Sequence, residues 1–315
     1  MHSTPAVRTK FLIISDTHAC TPFLEHLSTE PVDVAIHCGN LTTNSMLEEF
    51  KSSIDLLSQI NAPLKLVIAG DHDFTLDTPT YDGALQDLEN TPEPVDPDFM
   101  AQVYGDLGDA RSLFENATDN GIMLLDQSTH HFVLGNGASL TVYASPYTPC
   151  LPPGTGGFQY PRREGHIFDI PRVDIVMTHG PPKGVMDYTL SKERAGCADL
   201  FAAVARARPR MHCFGHVREQ WGAKLVSWRK GSRALEPCYL GDVDHEKSVI
   251  IERLATLDTE GYGEYEKFFW TSHCTGDPYP LEWGRQTLFV NAAVEGRDGR
   301  VQPAWLVEIE LSRAF

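Results

Sequence analysis

Asp71, His72 and Asp73 stand together in the stretch LKLVIAGDHDF (64–74), three groups able to bind a metal or move a proton. They follow an apolar run, Leu64 to Ala69, too short and too β-branched for a helix, which reads as a buried strand. Gly70 between the two permits a sharp turn. The arrangement recurs in FLIISDTH (11–18), VDVAIHCGN (32–40), VDIVMTHG (173–180) and MHCFGH (211–216), each an apolar run closing on Asp, His or Asn. In open α/β sheets ligands bind at the carboxyl ends of strands. Five such ends, carrying Asp16, His18, Asn40, Asp71, His179 and His216, are expected to converge on one site. Carboxylate, imidazole and amide donors without thiolate favour Mn, Fe, Zn or Mg over soft-metal chemistry. The expected site is metal-binding.

The elements that must position these residues alternate. Residues 1–9 read as a loose lead-in and Phe11–Ser15 as the first strand, whose period of two sends Asp16 and His18 to one side. A short helix is expected at Pro22–Leu27, a second strand at Val32–His37, and a helix over Ser45–Ile60 from the spacing of Met46, Leu47, Phe50, Ile54, Leu57 and Ile60. Strand, helix, strand, helix, strand predicts a parallel sheet with right-handed crossovers. From Thr75 to Asn120 the pattern loosens into a surface insertion with a Pro/acid loop at 91–98 and a helix at 109–117. Strands are expected at 121–125, 130–134 and 139–144, the last two joined by a Gly135-Asn136-Gly137 hairpin turn. The Pro/Gly-rich run 145–165 reads as an ordered lid. A helix at 192–207, a second insertion at 223–283 without clear period, and closing strands at 287–294 and 304–311 complete one domain over 1–315.

With 43 acidic against 26 basic residues, a net charge of −17 excludes broad nucleic-acid binding, which needs a basic footprint. An anionic substrate must then be drawn in by local positive charge. Seven scattered cysteines without CxxC spacing suit reduced thiols rather than a disulfide framework. The opening MHSTPAVRTK lacks a signal-peptide apolar segment, and no run reaches the ~18 residues of a membrane span. A cytoplasmic protein acting on a small-molecule substrate, without nucleic-acid or membrane partners, is expected.

DTH (16–18), GN (39–40), GDHD (70–73), THGPP (178–182) and GHVR (215–218) together resemble the five blocks of the calcineurin-like metallophosphoesterases, which usually read DxH, GD, GNH[DE], HG and GHxH in that order. The likeness is greatest to the small one-domain branch that includes the animal MPPED proteins, through IAGDHDFTLD, ASPYTPC, THGPPKGVMD and RAGCADLF. It covers most of 10–222 and the strand near 287–294, leaving the two insertions outside. The resemblance implies a four-layer α/β/β/α sandwich with metals held between strand ends. It implies that Asp16 and His18 bind a first metal, that Asp71, His179 and His216 bind a second, and that Asn40 bridges. It implies further that His72 gives a proton to the leaving group, steered by Asp73.

Three positions depart from the family pattern. Asn40 replaces the bridging Asp, Asp71 replaces the usual Asn, and Arg218 replaces the last His of GHxH. A neutral amide is a poor bridge between two dications, and guanidinium is not a ligand. The expectation is one firmly bound metal and a second that is weak or absent, with Arg218 as a bidentate clamp on a phosphate or carboxylate, helped by Arg162 or Arg163. The leading function is hydrolysis of a small-molecule phosphoester, a phosphodiester by preference. Two others stand beside it: a metal-dependent hydrolase, lyase or cyclase-type reaction on a non-phosphate metabolite, and a non-catalytic descendant that binds a ligand. His37 and His212, inside apolar runs, read as core histidines, and Cys38 as a small buried residue. His130 and His131 flank a strand and carry no role. Phe158, Tyr160, Tyr188 and Trp221 are either pocket lining or ordinary core.

Overall fold

The computed structural model describes residues 6–20, 30–89, 96–150, 156–230, 237–260, 268–296 and 300–314. In chain order the strands are β1 (Ala6–Ile14), β2 (Val34–His37), β3 (Leu64–Val67), β4 (Ile122–Leu124), β5 (Ser128–Val133), β6 (Ser139–Ser145), β7 (Thr148–Cys150), β8 (Gln159–Pro161), β9 (Ile175–Thr178), β10 (Met211–Phe214), β11 (Gly222–Trp228), β12 (Val243–Arg253), β13 (Phe268–Ser272), β14 (Gln286–Asn291) and β15 (Ala304–Ser312). The α-helices are α1 (Leu47–Ser58), α2 (Thr78–Glu89), α3 (Pro97–Tyr104), α4 (Asp109–Glu115), α5 (Ala198–Ala207), α6 (Tyr239–Asp242) and α7 (Leu254–Glu260). One sheet has the order β13-β15-β1-β2-β3-β4, and the other β12-β11-β14-β10-β9-β6-β5.

Period two in the strands divides the apolar residues among three packed interiors. Phe11 and Ile13 of β1 join Leu140, Val142, Met177 and Cys213 between the two sheets. Their neighbours Leu12 and Ile14 face the other way, onto Phe50, Leu56 and Leu57 of α1 and Phe114 of α4. On the far side Tyr143, Val176, Phe214 and Phe289 meet Leu200, Phe201 and Val204 of α5. Helix, sheet, sheet, helix is therefore the layering, the four-layer α/β/β/α sandwich expected. Each fully buried side chain of this size contributes about 1.5–3 kcal/mol through removal from water. Trp221 stacks on Trp305 at 4.8 Å within the middle interior, so it is core and not pocket lining.

Parallel pairing puts the chemistry at one edge. β1, β2 and β3 run parallel in one sheet, with Ile14 beside His37 and His37 beside Val67. β9, β10 and β14 run parallel in the other. Helix α1 starts where the Glu49 carboxylate accepts from the amides of Asn44 and Met46, at 2.9 and 3.0 Å, a one-sided cap that fixes the loop after Asn40.

Several expectations change. Residues 6–9 belong to β1 and pair with β15, so the lead-in is shorter than nine residues. The helix expected from 192 begins at Ala198, because Arg194 pairs back onto Tyr188 and Asp187 in a turn. The stretch 223–283 supplies most of β11 together with β12 and β13, whose aperiodic sequence reflects edge strands with register shifts in the β11–β12 pairing. Within 75–120, α2 and α3 accompany the expected α4. His130 and His131 lie inside β5 rather than beside it. The described parts of the 145–165 run, 145–150 and 156–165, form the small β7–β8 pair and bury Phe158 and Tyr160, while 151–155 lie outside the described residues. The helix expected at 22–27 lies outside the described residues. Among the described residues no helix is long and apolar enough to cross a membrane.

Candidate functional site

The turns that follow β1, β2, β3, β9 and β10 bring Asp16, His18, Asn40, Asp71, His179 and His216 to the shared edge of the two sheets. Their backbones are bent out of the ordinary. Asp16, His18, Asn40 and His216 all have positive φ, between 46° and 65°. Gly70 lies against Asn40 so closely that a Cβ would come 2.3 Å from its Oδ1. Gly215 likewise abuts Ser15 and Asp16, at 2.1 and 2.2 Å. These contacts lock the loops together and admit no side chain at either position.

The inner half of the site consists of Asp71, His179 and His216. Their ligand atoms all lie within 4.8 Å of one another, the group among the described residues able to hold a metal ion. His179 Nε2 is 2.9 Å from Asp71 Oδ1, and His216 Nδ1 is 3.2 Å from the same oxygen. His179 donates from Nδ1 to the carbonyl of buried Cys38 at 2.7 Å, which fixes its ring and turns Nε2 inward. Burial alone would raise the Asp71 carboxyl, but His216 and His179 hold it well below the usual range. Burial would pull His179 down; the Asp71 hydrogen bond and nearby Asp16 instead carry it up to about 9. A carboxylate and two imidazoles, one of them oriented by an outer carbonyl, fit a divalent cation.

The outer half is satisfied differently. Asn40 donates from Nδ2 to Asp16 Oδ1 at 3.1 Å and accepts from the His72 amide at 3.0 Å. The other Asp16 oxygen accepts from the His216 amide at 2.9 Å. His18 binds the Thr42 carbonyl through Nδ1 at 2.8 Å, leaving Nε2 as an acceptor that takes a hydrogen bond from Arg218 Nη2 at 3.0 Å. Burial pulls His18 down to about 4, Asp16 opposing and Arg218 adding to the fall. Arg218 Nη1 in turn pairs with Glu295 at 2.7 Å, and the same Glu295 oxygen lies 3.3 Å from His18 Nε2.

Asp73 does not steer His72. Its buried carboxylate accepts from the amides of Gly70, Leu41 and Thr42 and from the Thr42 hydroxyl, at 2.7–3.1 Å, tying the second and third strand-end loops together. Burial raises its pKa against those donors. His72 is held through Nδ1 by the Thr43 carbonyl at 2.7 Å, and its ring meets His18 edge-on at 4.8 Å. Arg162 is no anchor for substrate, since its guanidinium donates to the carbonyls of Ala195 and Gly196 at 2.6 and 2.9 Å; Arg163 is exposed. Arg218 is not a free clamp, because Glu295 and His18 already engage it. His37 and His212 are buried and hydrogen-bonded to Thr17 and Thr178, as core histidines.

Two residues escaped the sequence reading. Glu295 follows β14, and the rule that picked the other strand ends, extended a few residues past Asn291, would have reached it. Asn291 is the second: its side chain donates to the Val217 carbonyl at 2.9 Å and so fixes the segment that carries His216 and Arg218.

The family model described as calcineurin-like phosphoesterase matches residues 9–219. The chain is 33% identical over 227 residues to metallophosphoesterase domain-containing protein 1 of Homo sapiens, covering 69% of this chain and 63% of that protein. It is 30% identical over 308 residues to a probable rhamnogalacturonate lyase C of Emericella nidulans, covering 96% of this chain but 24% of that protein. The chain therefore spans less than two thirds of the length of either relative. A phosphopantetheinyl hydrolase from Mycobacterium tuberculosis is similar over 73% of this chain and 88% of that one, at 16% identity and a TM-score of 0.41, too low to bear on the site.

Proposed function

The chain belongs to the calcineurin-like phosphoesterase family, in the branch of metallophosphoesterase domain-containing protein 1, and from there we propose that it hydrolyses a small-molecule phosphoester, a phosphodiester by preference, with one firmly held divalent metal. The observation that supports this reading is the convergence of the Asp71, His179 and His216 donor atoms within 4.8 Å. Those three residues would hold the metal, which when bound supplies Lewis-acid charge for phosphoryl transfer to water.

The chain's own groups do the rest. The Cys38 carbonyl keeps His179 in the tautomer that presents Nε2 inward. His72, tied at Nδ1 to the Thr43 carbonyl, keeps Nε2 for the leaving-group oxygen and gives it a proton when charged. Asn40 joins the Asp16 carboxylate to the His72 amide, so the proton donor and the first strand end move as one. The Arg218 guanidinium contributes a fixed cation where the family pattern has a histidine ligand.

Metal analysis of the purified protein together with assays on an aryl phosphodiester and monoester, with Mn added, tests this. The expected result is about one metal per chain and faster turnover of the diester. A second reading, a metal-dependent reaction on a non-phosphate metabolite, is favoured by the full engagement of Arg218 by Glu295 and His18 and by the similarity over 96% of this chain to a probable rhamnogalacturonate lyase C. Bound metal in a protein inert to both esters decides for that reading and against phosphoester hydrolysis.

A further inference from the structure

Glu295 carries a carboxylate to the rim of the site, on the segment where it pairs with Val301 in an isolated antiparallel bridge. Its side chain is 37% exposed and that of its partner Arg218 is 35% exposed, although the Glu295 Oε2 that faces Arg218 is itself buried and makes no hydrogen bond among the described residues. The Arg218 backbone is fixed beneath: its carbonyl accepts from Gln302 Nε2 at 3.1 Å and from the Trp221 amide at 3.3 Å. One terminal nitrogen of the guanidinium donates to His18 Nε2, whose buried ring is held at Nδ1 by the Thr42 carbonyl. The other, Nη1, meets the Glu295 oxygen at 2.7 Å. An oxyanion that takes the Nη1 face of Arg218 must therefore displace Glu295 from it.

We infer that the Nη1 face of Arg218 is a seat for a substrate oxyanion of the phosphate class, and that Glu295 is an internal anion occupying it, displaced when substrate binds. The inference deepens the phosphoesterase reading and rests on it for the identity of the anion. A half-exposed carboxylate–guanidinium pair is weak and exchangeable. A phosphate oxyanion can accept from Nη1 in place of the carboxylate, with a charge at least as large. The exchange makes Glu295 a determinant of specificity: neutral substrates cannot dislodge it, and anionic ones can. In a chain of net charge −17 it also keeps the Arg218 cation from holding adventitious anions.

The test is calorimetric titration of the Mn-loaded protein with inorganic phosphate, in wild type, Glu295→Gln, Glu295→Asp and the double variant Glu295→Gln with Arg218→Gln. Removing the internal anion is expected to tighten phosphate binding roughly three- to fivefold. Glu295→Asp keeps the charge and binds within about twofold of wild type, and the double variant loses the gain. Unchanged or weaker binding in Glu295→Gln, or a gain that persists without Arg218, overturns the inference. Should Glu295→Gln not fold, Arg218→Gln decides alone: phosphate affinity falls if the guanidinium seats the anion, and unchanged affinity overturns the inference. Binding of inorganic phosphate needs no turnover. Inertness of every variant to aryl phosphates thus counts against the phosphoesterase reading, while the phosphate affinities judge Glu295 separately.

Discussion

The inner and outer halves of the site are built from the same parts and end in opposite electrostatic states. Both hang from carboxyl ends of parallel strands, both contain an aspartate, and both contain buried histidine. In the inner half Asp71, His179 and His216 turn their donor atoms toward one point, with no lysine or arginine among the three. In the outer half the lone pair of His18 and the carboxylate of Asp16 are already met, by Arg218 and by the Asn40 amide. On the proposed reading, two departures from the family pattern, amide for carboxylate and guanidinium for imidazole, turn a cation-seeking cluster into a self-neutralised one. Strand-end geometry sets where ligands gather, and the charge of single side chains decides whether a metal has any reason to come.

The comparison breaks most visibly if inner-half ligands are removed. Asp71→Asn or His179→Ala should lower metal affinity by more than the 10–100-fold that loss of an outer-shell partner costs, read by metal content after dialysis, with Mn-dependent activity falling in parallel. If instead metal stays bound in either variant, the two halves have been assigned the wrong way round. Converting the outer half is the next largest effect. Asn40→Asp sets a second carboxylate where the amide now donates to Asp16 at 3.1 Å, and should destabilise the metal-free protein by about 1–3 kcal/mol in urea. Adding Arg218→His to it should raise bound metal from about one to about two equivalents per chain. Asp73→Asn should cost about 1–3 kcal/mol of stability, because an amide cannot accept from all four present donors. Its metal stoichiometry should be unchanged, which separates a loop fastener from a ligand.

The smallest effect is the pH dependence of the inner half between about 6.5 and 9. In the metal-free protein His179 is raised to about 9 from an ordinary 6.5. A raised folded-state pKa means that the protonated His179–Asp71 pair contributes stability fully below about 6.5 and loses it as pH climbs through about 9. A metal must displace that proton, so metal affinity should rise with pH over the same interval and level off above it, by at most tenfold per pH unit. Thermal melts of metal-free protein and metal titrations at pH 6, 7, 8 and 9 (roughly spanning this window) check both slopes; a flat profile removes the charged pair from the account.

Much of this was legible beforehand. The strand ends could be read because buried parallel strands have a strong apolar signature, and Asp or His directly after one is conspicuous. The alternation of β1 between two interiors follows from period two alone. What escaped was whatever depends on a partner far along the chain. Asp73 looked like the neighbour of His72, yet its hydrogen bonds go 31 and 32 residues back, to Thr42 and Leu41. Arg162 looked like an anion anchor because its loop is near the site, while its guanidinium is spent on carbonyls 33 and 34 residues away. The β11–β12 pair was read as an insertion because edge strands with register shifts lack clean alternation. Glu295 lies 77 residues after Arg218, too far for local pattern to join them.

The left-handed backbone at Asp16, His18, Asn40 and His216 has a consequence for how this chain tolerates change. An L-residue other than glycine costs about 1–2 kcal/mol in that conformation, and four lie in one small cluster. Variants selected for heat resistance would gain most readily by relaxing these bends, and each relaxation would swing a donor atom out of register. Thermal hardening and chemical competence therefore pull against each other at this edge of the sandwich, while the three packed interiors can be strengthened without penalty to it.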